Sequence, residues 1–267
     1  AMPPRENSYD VTSNYFSVYF SGIDCYGSIS ARSRSDVNIL AIVNMSSGKI
    51  LLVNTPRDYY VPLPVSGGAC DKLTHAGIYG VNCSIGAMES LYGVDVDYFV
   101  RMNFSGFESI IDTMGGIDVY SEYTFTVDPI KTYQAGYNHL TGLEALAFVR
   151  ERHAFPDGDN QRGKNQMEVI KAMVTKLCSK DFLYNYSDIL SQLSGTYQTD
   201  MPASVIYDIV SYQLGNDINW QIETYSVTGS GSYEYTYSVP GTALYVMLPN
   251  QTSIDGAKSR ISSVLAE

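Results

Sequence analysis

The chain has 267 residues, 45% hydrophobic and 17% charged, which excludes a disordered chain and leaves enough apolar material for a sizeable core. Its 17 Lys and Arg stand against 28 Asp and Glu, a net charge of -11, and this balance excludes a nucleic-acid binder, whose partner demands an excess of basic residues. No run of about twenty apolar residues occurs, so nothing reads as a membrane-spanning helix.

Ala1-Met2 reads as a cloning scar, residues 1–11 as a disordered lead-in, and 12–267 as one excised domain from which an N-terminal anchor could have been removed. Residues 16–23 (FSVYFSGI) are predicted as a buried strand ending at Asp24, 37–45 (VNILAIVNM) as a second, and 49–55 (KILLVNT) as a third after a Ser46-Ser47-Gly48 turn. The first two are nearly continuous apolar runs, as in a sheet covered on both faces. The pattern becomes helical over 82–91, strand-like over 98–103, helical over 104–114 until Gly115-Gly116, and strand-like again over 117–120. Thr141 and Glu144 form a T-x-x-E capping box that starts a helix over 143–150. After Pro156-Asp157-Gly158, Asp159 or Asn160 is expected to cap a long amphipathic helix running to about residue 180. Helices near 182–193 and 202–214 then alternate with strands near 218–227 and 243–248, residues 229–237 read as a loop or hairpin, and a helix over 254–265 closes the chain. Strands alternating with helices imply an α/β fold with a mixed sheet between helical layers, in a single domain.

Tyrosine is over-represented at 23 residues; its apolar ring and polar tip suit ordinary surfaces and also clefts that meet sugars. The cysteines Cys25, Cys70, Cys83 and Cys178 show no C-x-x-C spacing, which argues against zinc. Cys70 and Cys83 flank a short loop-like segment and could pair in an exported protein, whereas Cys25 and Cys178 read as buried thiols.

Three arginine-bearing segments carry the chemistry. Asp24 ends a strand, and Arg32, Arg34 and Asp36 lead into the next; Pro56-Arg57-Asp58 follows a strand exit; Arg150, Arg152, His153, Arg162 and Gln166 form the third group. Charged groups at strand ends of an α/β fold face the crevice where ligands bind. Asp24 and Asp36 could there share a hard divalent ion, and converging guanidinium forks match pyrophosphate oxygens. Arg150 and Arg152, two apart, would point about 200° from each other on a continuous helix, so serving one site requires the helix to end between or just after them. Arg162 and Gln166 share a helix face. Taken singly, each residue has an ordinary reading as a turn residue or a solvated ion-pair partner. Their combination, in order, within one α/β frame is what points to a site.

The succession of G-x-D (Gly22, Asp24), R-S-D (Arg34, Asp36), P-R-D (Pro56, Arg57, Asp58), K-x-x-H-A (Lys72, His75, Ala76), G-F with G-G-I-D-V (106–119), G-x-E-A-L (142–146) and R-x-R…G-D-x-x-R…Q (150–166) resembles the LytR-CpsA-Psr family. The resemblance covers about residues 16–180; 181–267 fits a C-terminal portion by its alternating pattern alone. It implies a three-layer α/β/α domain, anchored at the extracellular face of the bacterial membrane, with an apolar tunnel for a polyprenyl tail. It implies a phosphotransferase that moves a teichoic acid, capsular or other wall glycan from polyprenyl-pyrophosphate to peptidoglycan and releases polyprenyl phosphate. Asp24 and Asp36 would hold Mg²⁺, with Mn²⁺ as an alternative, and with Arg34 and Arg57 would form the catalytic set. Arg34, Arg57, Arg150, Arg152, Arg162 and Gln166 would hold the pyrophosphate. A hydrolase of the same lipids and a non-catalytic lipid-pyrophosphate-binding module are the competing readings. Arg32, Asp58, His75 and His153 receive no role. Asn54-Thr55 stands where Ser-Ile is usual, and Lys164-Asn165 where Arg-Gln is usual. Met88, Leu91, Phe107, Ile110, Ile111, Met114, Leu146, Phe148, Val149, Ile170, Met173 and Val174 read first as core and second as the lining of a lipid channel.

Overall fold

A computed structural model describes residues 15–26, 29, 32–155 and 158–267, with the backbone alone over 158–160. The readings for 1–11 and for Pro156-Asp157 lie outside the described residues. The strands are β1 (Tyr15–Ile23), β2 (Ser35–Asn44), β3 (Lys49–Asn54), β4 (Tyr60–Pro62), β5 (Cys70–Lys72), β6 (Tyr98–Asn103), β7 (Ile117–Ser121), β8 (Phe125–Val127), β9 (Lys131–Tyr133), β10 (Gly136–Leu140), β11 (Tyr197–Thr199), β12 (Gln221–Ser226), β13 (Gly229–Glu234) and β14 (Leu244–Pro249). The helices are α1 (Leu73–Ala76), α2 (Val81–Tyr92), α3 (Phe104–Thr113), α4 (Gly142–Arg150), α5 (Gly158–Leu177), α6 (Lys180–Gln192), α7 (Ala203–Asn216) and α8 (Gln251–Ala266).

The class is α/β, as expected, built on a six-stranded sheet of order β11-β6-β1-β2-β3-β12. β2 pairs antiparallel with both β1 and β3, whereas β12 joins β3 in parallel, so the sheet is mixed. The chain divides into two compact units, one of residues up to Arg101 with Gln198–Glu267, the other Met102–Tyr197.

In the first unit both faces of β2 are buried, which is why it lacks apolar/polar alternation. Tyr19, Leu40, Ile42, Leu51 and Val53 pack with Ile85, Ala87 and Met88 of α2 and with Ile254, Ala257 and Ile261 of α8. Each such side chain withdrawn from water contributes roughly 1.5–3 kcal/mol. α2 stops at Gly93, whose φ of 68° is the left-handed conformation that favours glycine. α8 starts where the Asn250 side chain accepts the Thr252 N–H at 3.0 Å.

The second unit is organised by aromatic rings. Phe125 stacks on Tyr133 at 4.8 Å, and Phe148 and Phe155 meet Phe125 at 5.5 and 4.8 Å. The predicted capping box is present at Thr141 and Glu144. Ten of the twelve residues assigned to a channel divide between the two packed cores. Met88 and Leu91 belong to the first, while Phe107, Ile110, Ile111, Met114, Phe148, Val149, Ile170 and Met173 belong to the second.

Three expectations need correction. α5 begins at Gly158, which puts Asp159 and Asn160 inside its first turn rather than at the cap. It stops at Leu177 instead of running to 180, because the Ser179 hydroxyl accepts the Phe182 N–H and starts α6. Of the two readings for 229–237, the hairpin is the one found: residues 229–234 pair antiparallel with β14. All four cysteines are free: Cys70 and Cys83 do not pair, and Cys25 and Cys178 are half-buried rather than buried. Burial pushes the Cys178 thiol up to about 12, out of the reactive range. Among the described residues no helix is long and apolar enough to cross a membrane.

Candidate functional site

Because β1, β2 and β3 alternate in direction, the exit of β1, the start of β2 and the exit of β3 fall at one end of the first unit's sheet. Asp24 lies just beyond β1, Asp36 is the second residue of β2, and Arg57 lies in the turn after β3. The β1–β2 register shifts between Gly22 and Ile23, a bulge that re-aims the strand end carrying Asp24. Only glycine fits beside it, since a Cβ on Gly22 would sit 2.9 Å from the Val37 Cβ.

Arg57 Nη1 lies 2.9 Å from Asp36 Oδ1, and the hydroxyl of the fully buried Thr74 donates to the same oxygen at 3.0 Å. Burial pushes the Asp36 carboxyl up, Arg57 and Thr74 oppose this, and the Asp24 carboxylate, within hydrogen-bonding reach, raises it further; the net shift is upward. Two adjacent carboxylates offer oxygen donors alone, the set that suits a hard divalent cation. Among the described residues no group of three or more His, Cys, Asp and Glu side chains is placed to hold a metal, so remaining ligands would come from substrate and water.

The start of β2 is pinned by a buried polar network. Tyr19 donates to Asn38 Oδ1 at 2.6 Å, Ser35 to the same oxygen at 2.8 Å, and Ser21 meets Ser35 at 2.9 Å. From the outside, Gly77 presses on the same segment: a Cβ there would lie 2.4 Å from the Ser33 carbonyl oxygen and 2.9 Å from the Ser35 nitrogen. Gly77→Ala is expected to displace the segment that carries Arg34 and the start of β2 with Asp36, and to lower kcat/KM by tenfold or more, with about 1–3 kcal/mol lost from stability. Steady-state kinetics beside a thermal melt checks this; unchanged kinetics would show that the close approach has no part in placing Asp36.

Asp58, left without a role by sequence, pairs with Lys72 at 3.0 Å and lies 4.0 Å from Arg57 Nε. His75 is buried and its Nδ1 meets Asp71 Oδ1 at 2.7 Å, an internal tie rather than a base facing solvent. Arg34 is exposed and forms no ion pair among the described residues. Thr55, one departure from the usual pattern, is buried and bonds the Tyr92 hydroxyl at 2.7 Å, so that departure belongs to the core.

In the second unit the helix ends where the arginine geometry required. α4 closes at Arg150, and Glu151 is extended at φ -66° and ψ 134°. Glu151 Oε1 then accepts the backbone N–H groups of Arg152 at 2.9 Å, His153 at 2.5 Å and Ala154 at 2.8 Å, closing a tight turn. Arg150 lies over the Phe104 ring at 4.8 Å, and Arg152 is exposed with its Nε 3.4 Å from His153 Nε2. Arg162 and Gln166 lie one turn apart on α5, both half-buried. Lys164 reaches Glu122 at 3.6 Å, whereas Asn165 is buried and accepts from Gln161 at 3.1 Å.

Sequence reasoning missed Thr74 and Gly77. Both lie in or beside the K-x-x-H-A motif, but nothing in the spacing signals that a buried hydroxyl there would reach a carboxylate 38 residues away.

The LytR_cpsA_psr family model matches residues 4–254. A Bacillus cereus relative, polyisoprenyl-teichoic acid–peptidoglycan teichoic acid transferase TagU, is 32% identical over 194 residues, covering 72% of this chain and 62% of that protein. The chain thus spans about three-fifths of the length of that curated relative. Among solved structures, the Lin1025 protein from Listeria innocua has a TM-score of 0.74 at 29% identity, covering 94% of this chain and 99% of that one. TagT bound to LI-WTA has a TM-score of 0.73 at 26% identity, covering 98% and 95%. With the family model spanning nearly the whole chain and the carboxylate–arginine cluster lying at the ends of β1, β2 and β3, this chain belongs to the LytR_cpsA_psr family.

Proposed function

We propose that the chain is a phosphotransferase that moves a wall glycan, such as a teichoic acid or capsular polymer, from polyprenyl-pyrophosphate to peptidoglycan. The observation that carries this reading is the Asp24–Asp36 carboxylate pair, with Arg57 bonded to Asp36 at 2.9 Å, in a chain related to teichoic acid transferases. An acceptor hydroxyl attacks the phosphorus nearest the glycan and a new P–O bond forms. The bridging P–O bond breaks, its electron pair leaves with polyprenyl phosphate, and the hydroxyl proton passes to a carboxylate oxygen of the aspartate pair. Arg57 neutralises charge growing on the phosphate oxygens, and Arg34, Arg150, Arg152, Arg162 and Gln166 are the further groups assigned to the pyrophosphate. Mg²⁺ or Mn²⁺ bound by Asp24 and Asp36 would add positive charge to those oxygens. The donor is a membrane lipid and the acceptor a wall polymer, so the reaction belongs to the outer face of the membrane.

The test incubates the protein with a short-chain polyprenyl-pyrophosphate disaccharide and Mg²⁺, with and without a peptidoglycan oligomer, and follows products by mass spectrometry. A glycan-phosphate adduct that needs the acceptor and disappears in Asp36→Ala is expected. Free glycan phosphate formed without acceptor would replace transfer by hydrolysis, and tight lipid binding without turnover would leave a binding module. A thermal shift with Mg²⁺ in the wild type, absent in both Asp24→Ala and Asp36→Ala, is the expected sign of the cation; equal shifts in all three would remove it from this site.

A further inference from the structure

The transfer reaction needs a place for a neutral sugar acceptor, and none of the residues assigned above supplies one. The β13–β14 hairpin has the chemistry. Tyr233 and Tyr245 are direct cross-strand partners, so their rings stand on one face, edge to face at 6.0 Å. Both are open to solvent, at 72% and 43% exposure, with Tyr235 at 64% immediately beyond the strand. Burying such rings would be the default for apolar groups of this size, and an exposed cluster marks a surface that meets a partner.

The hairpin is tied to the carboxylate cluster through contacts within the first unit. β14 runs beside the turn after Arg57: the Met247 N–H donates to the Asp58 carbonyl at 2.8 Å, and Met247 bridges to Tyr59. Lys72 lies 6.0 Å from the centre of the Tyr245 ring and 3.0 Å from Asp58, and Arg57 beyond it bonds Asp36. A saccharide resting on Tyr233 and Tyr245 is therefore one short ion-pair relay from the reacting centre.

Charge selects the occupant. Residues 229–249 contain Glu234 and neither Lys nor Arg. A phosphate-bearing donor polymer gains little from such a surface, because Lys72 beside it is already paired with Asp58, whereas the apolar faces of uncharged pyranose rings stack on tyrosine and their hydroxyls find the phenol groups.

We infer that the face of β13 and β14 bearing Tyr233 and Tyr245 is the acceptor subsite, taking the sugar strand of peptidoglycan, with Lys72 positioning it against the phosphotransfer centre. The inference rests on the transferase reading, and its experiment separates the two. A chitotetraose probe, a β-linked N-acetylhexosamine tetramer without lipid or phosphate, is titrated by calorimetry into the wild type, Tyr233→Ala, Tyr245→Ala and, as a control on an exposed ring of α6, Tyr184→Ala. Binding by wild type and Tyr184→Ala, weakened at least tenfold in both hairpin variants, is expected whether or not transfer occurs. In the transfer assay the same two variants are expected to raise KM for the peptidoglycan oligomer at least tenfold, with kcat at saturating acceptor and donor affinity unchanged. Equal binding in all four proteins, no binding to the wild type, or loss of donor affinity in the hairpin variants would overturn the assignment; loss of transfer alone, with the binding pattern intact, would count against the reaction and not against the subsite.

Discussion

Arg57→Ala is expected to lower kcat/KM by 10²- to 10³-fold, about 2.7–4 kcal/mol of transition-state stabilisation. Arg57 is the cation in direct contact with Asp36, 2.9 Å away, and it sits where three strand ends meet. Removing it leaves two carboxylates facing each other with Thr74 as the remaining donor to Asp36, while the transferring phosphoryl group adds negative charge to the same place. Arg57→Lys should recover part of the loss at most, because an ammonium supplies the charge without the fork that spans two oxygens. Stability should change less than activity, since the Arg57 side chain is 32% exposed and its pairs with Asp36 and Asp58 are only partly buried. Kinetics with a defined lipid donor, set beside a thermal melt, checks both halves. A variant with near wild-type kcat/KM would move the phosphate-binding role away from this arginine.

The largest effect on stability is expected at Asp71. Its carboxylate is fully buried and accepts from His75 Nδ1, the Lys72 N–H, the Ser238 N–H and the Ser238 hydroxyl. These bonds tie β5 and α1 to the segment after β13, and so hold the hairpin beside the site. Asp71→Ala strands those donors and is expected to cost about 3–5 kcal/mol. At about 2–4 °C per kcal/mol for a domain of this size, Tm should fall by roughly 10 °C.

The pH dependence has a definite sign. Burial raises the Asp71 carboxyl, but the bonds from His75, Ser238 and Lys72 outweigh it and hold it below the ordinary 3.8. A depressed carboxylate contributes stability in full above its unfolded value and loses it as the pH falls through the folded value. The gap between wild type and Asp71→Asn in urea melts should therefore be largest near neutrality and shrink below about pH 4. A gap that widened on acidification would contradict a charged Asp71.

The regular elements were legible in the sequence because their signals are local. β1, β2 and β3 show as apolar runs, β6 was delimited residue for residue, and the Thr141–Glu144 box marked the start of α4. The helix end between Arg150 and Arg152 was expected from the 3.6-residue period on the premise that both arginines serve one site, and α4 does close at Arg150. The short strands β4, β5, β8, β9, β10 and β11 went unread, since three to five residues are too few for a period to show. The boundary between α5 and α6 was drawn about three residues late, near 180 instead of at Leu177, because the Ser179 cap competes with continuation only through its hydrogen bond.

Composition and spacing by themselves determined an acidic α/β protein with Asp24, Asp36 and Arg57 each at a strand boundary, since strand ends follow from hydrophobic runs. Tertiary structure alone decided that these three side chains meet, that Thr74 supports Asp36 from within the core, that Gly77 presses the β2 entrance into place, and that the cysteines stay apart. Those outcomes depend on strand order, register and distances of a few ångströms between residues remote in the chain, and short-range patterning encodes none of them.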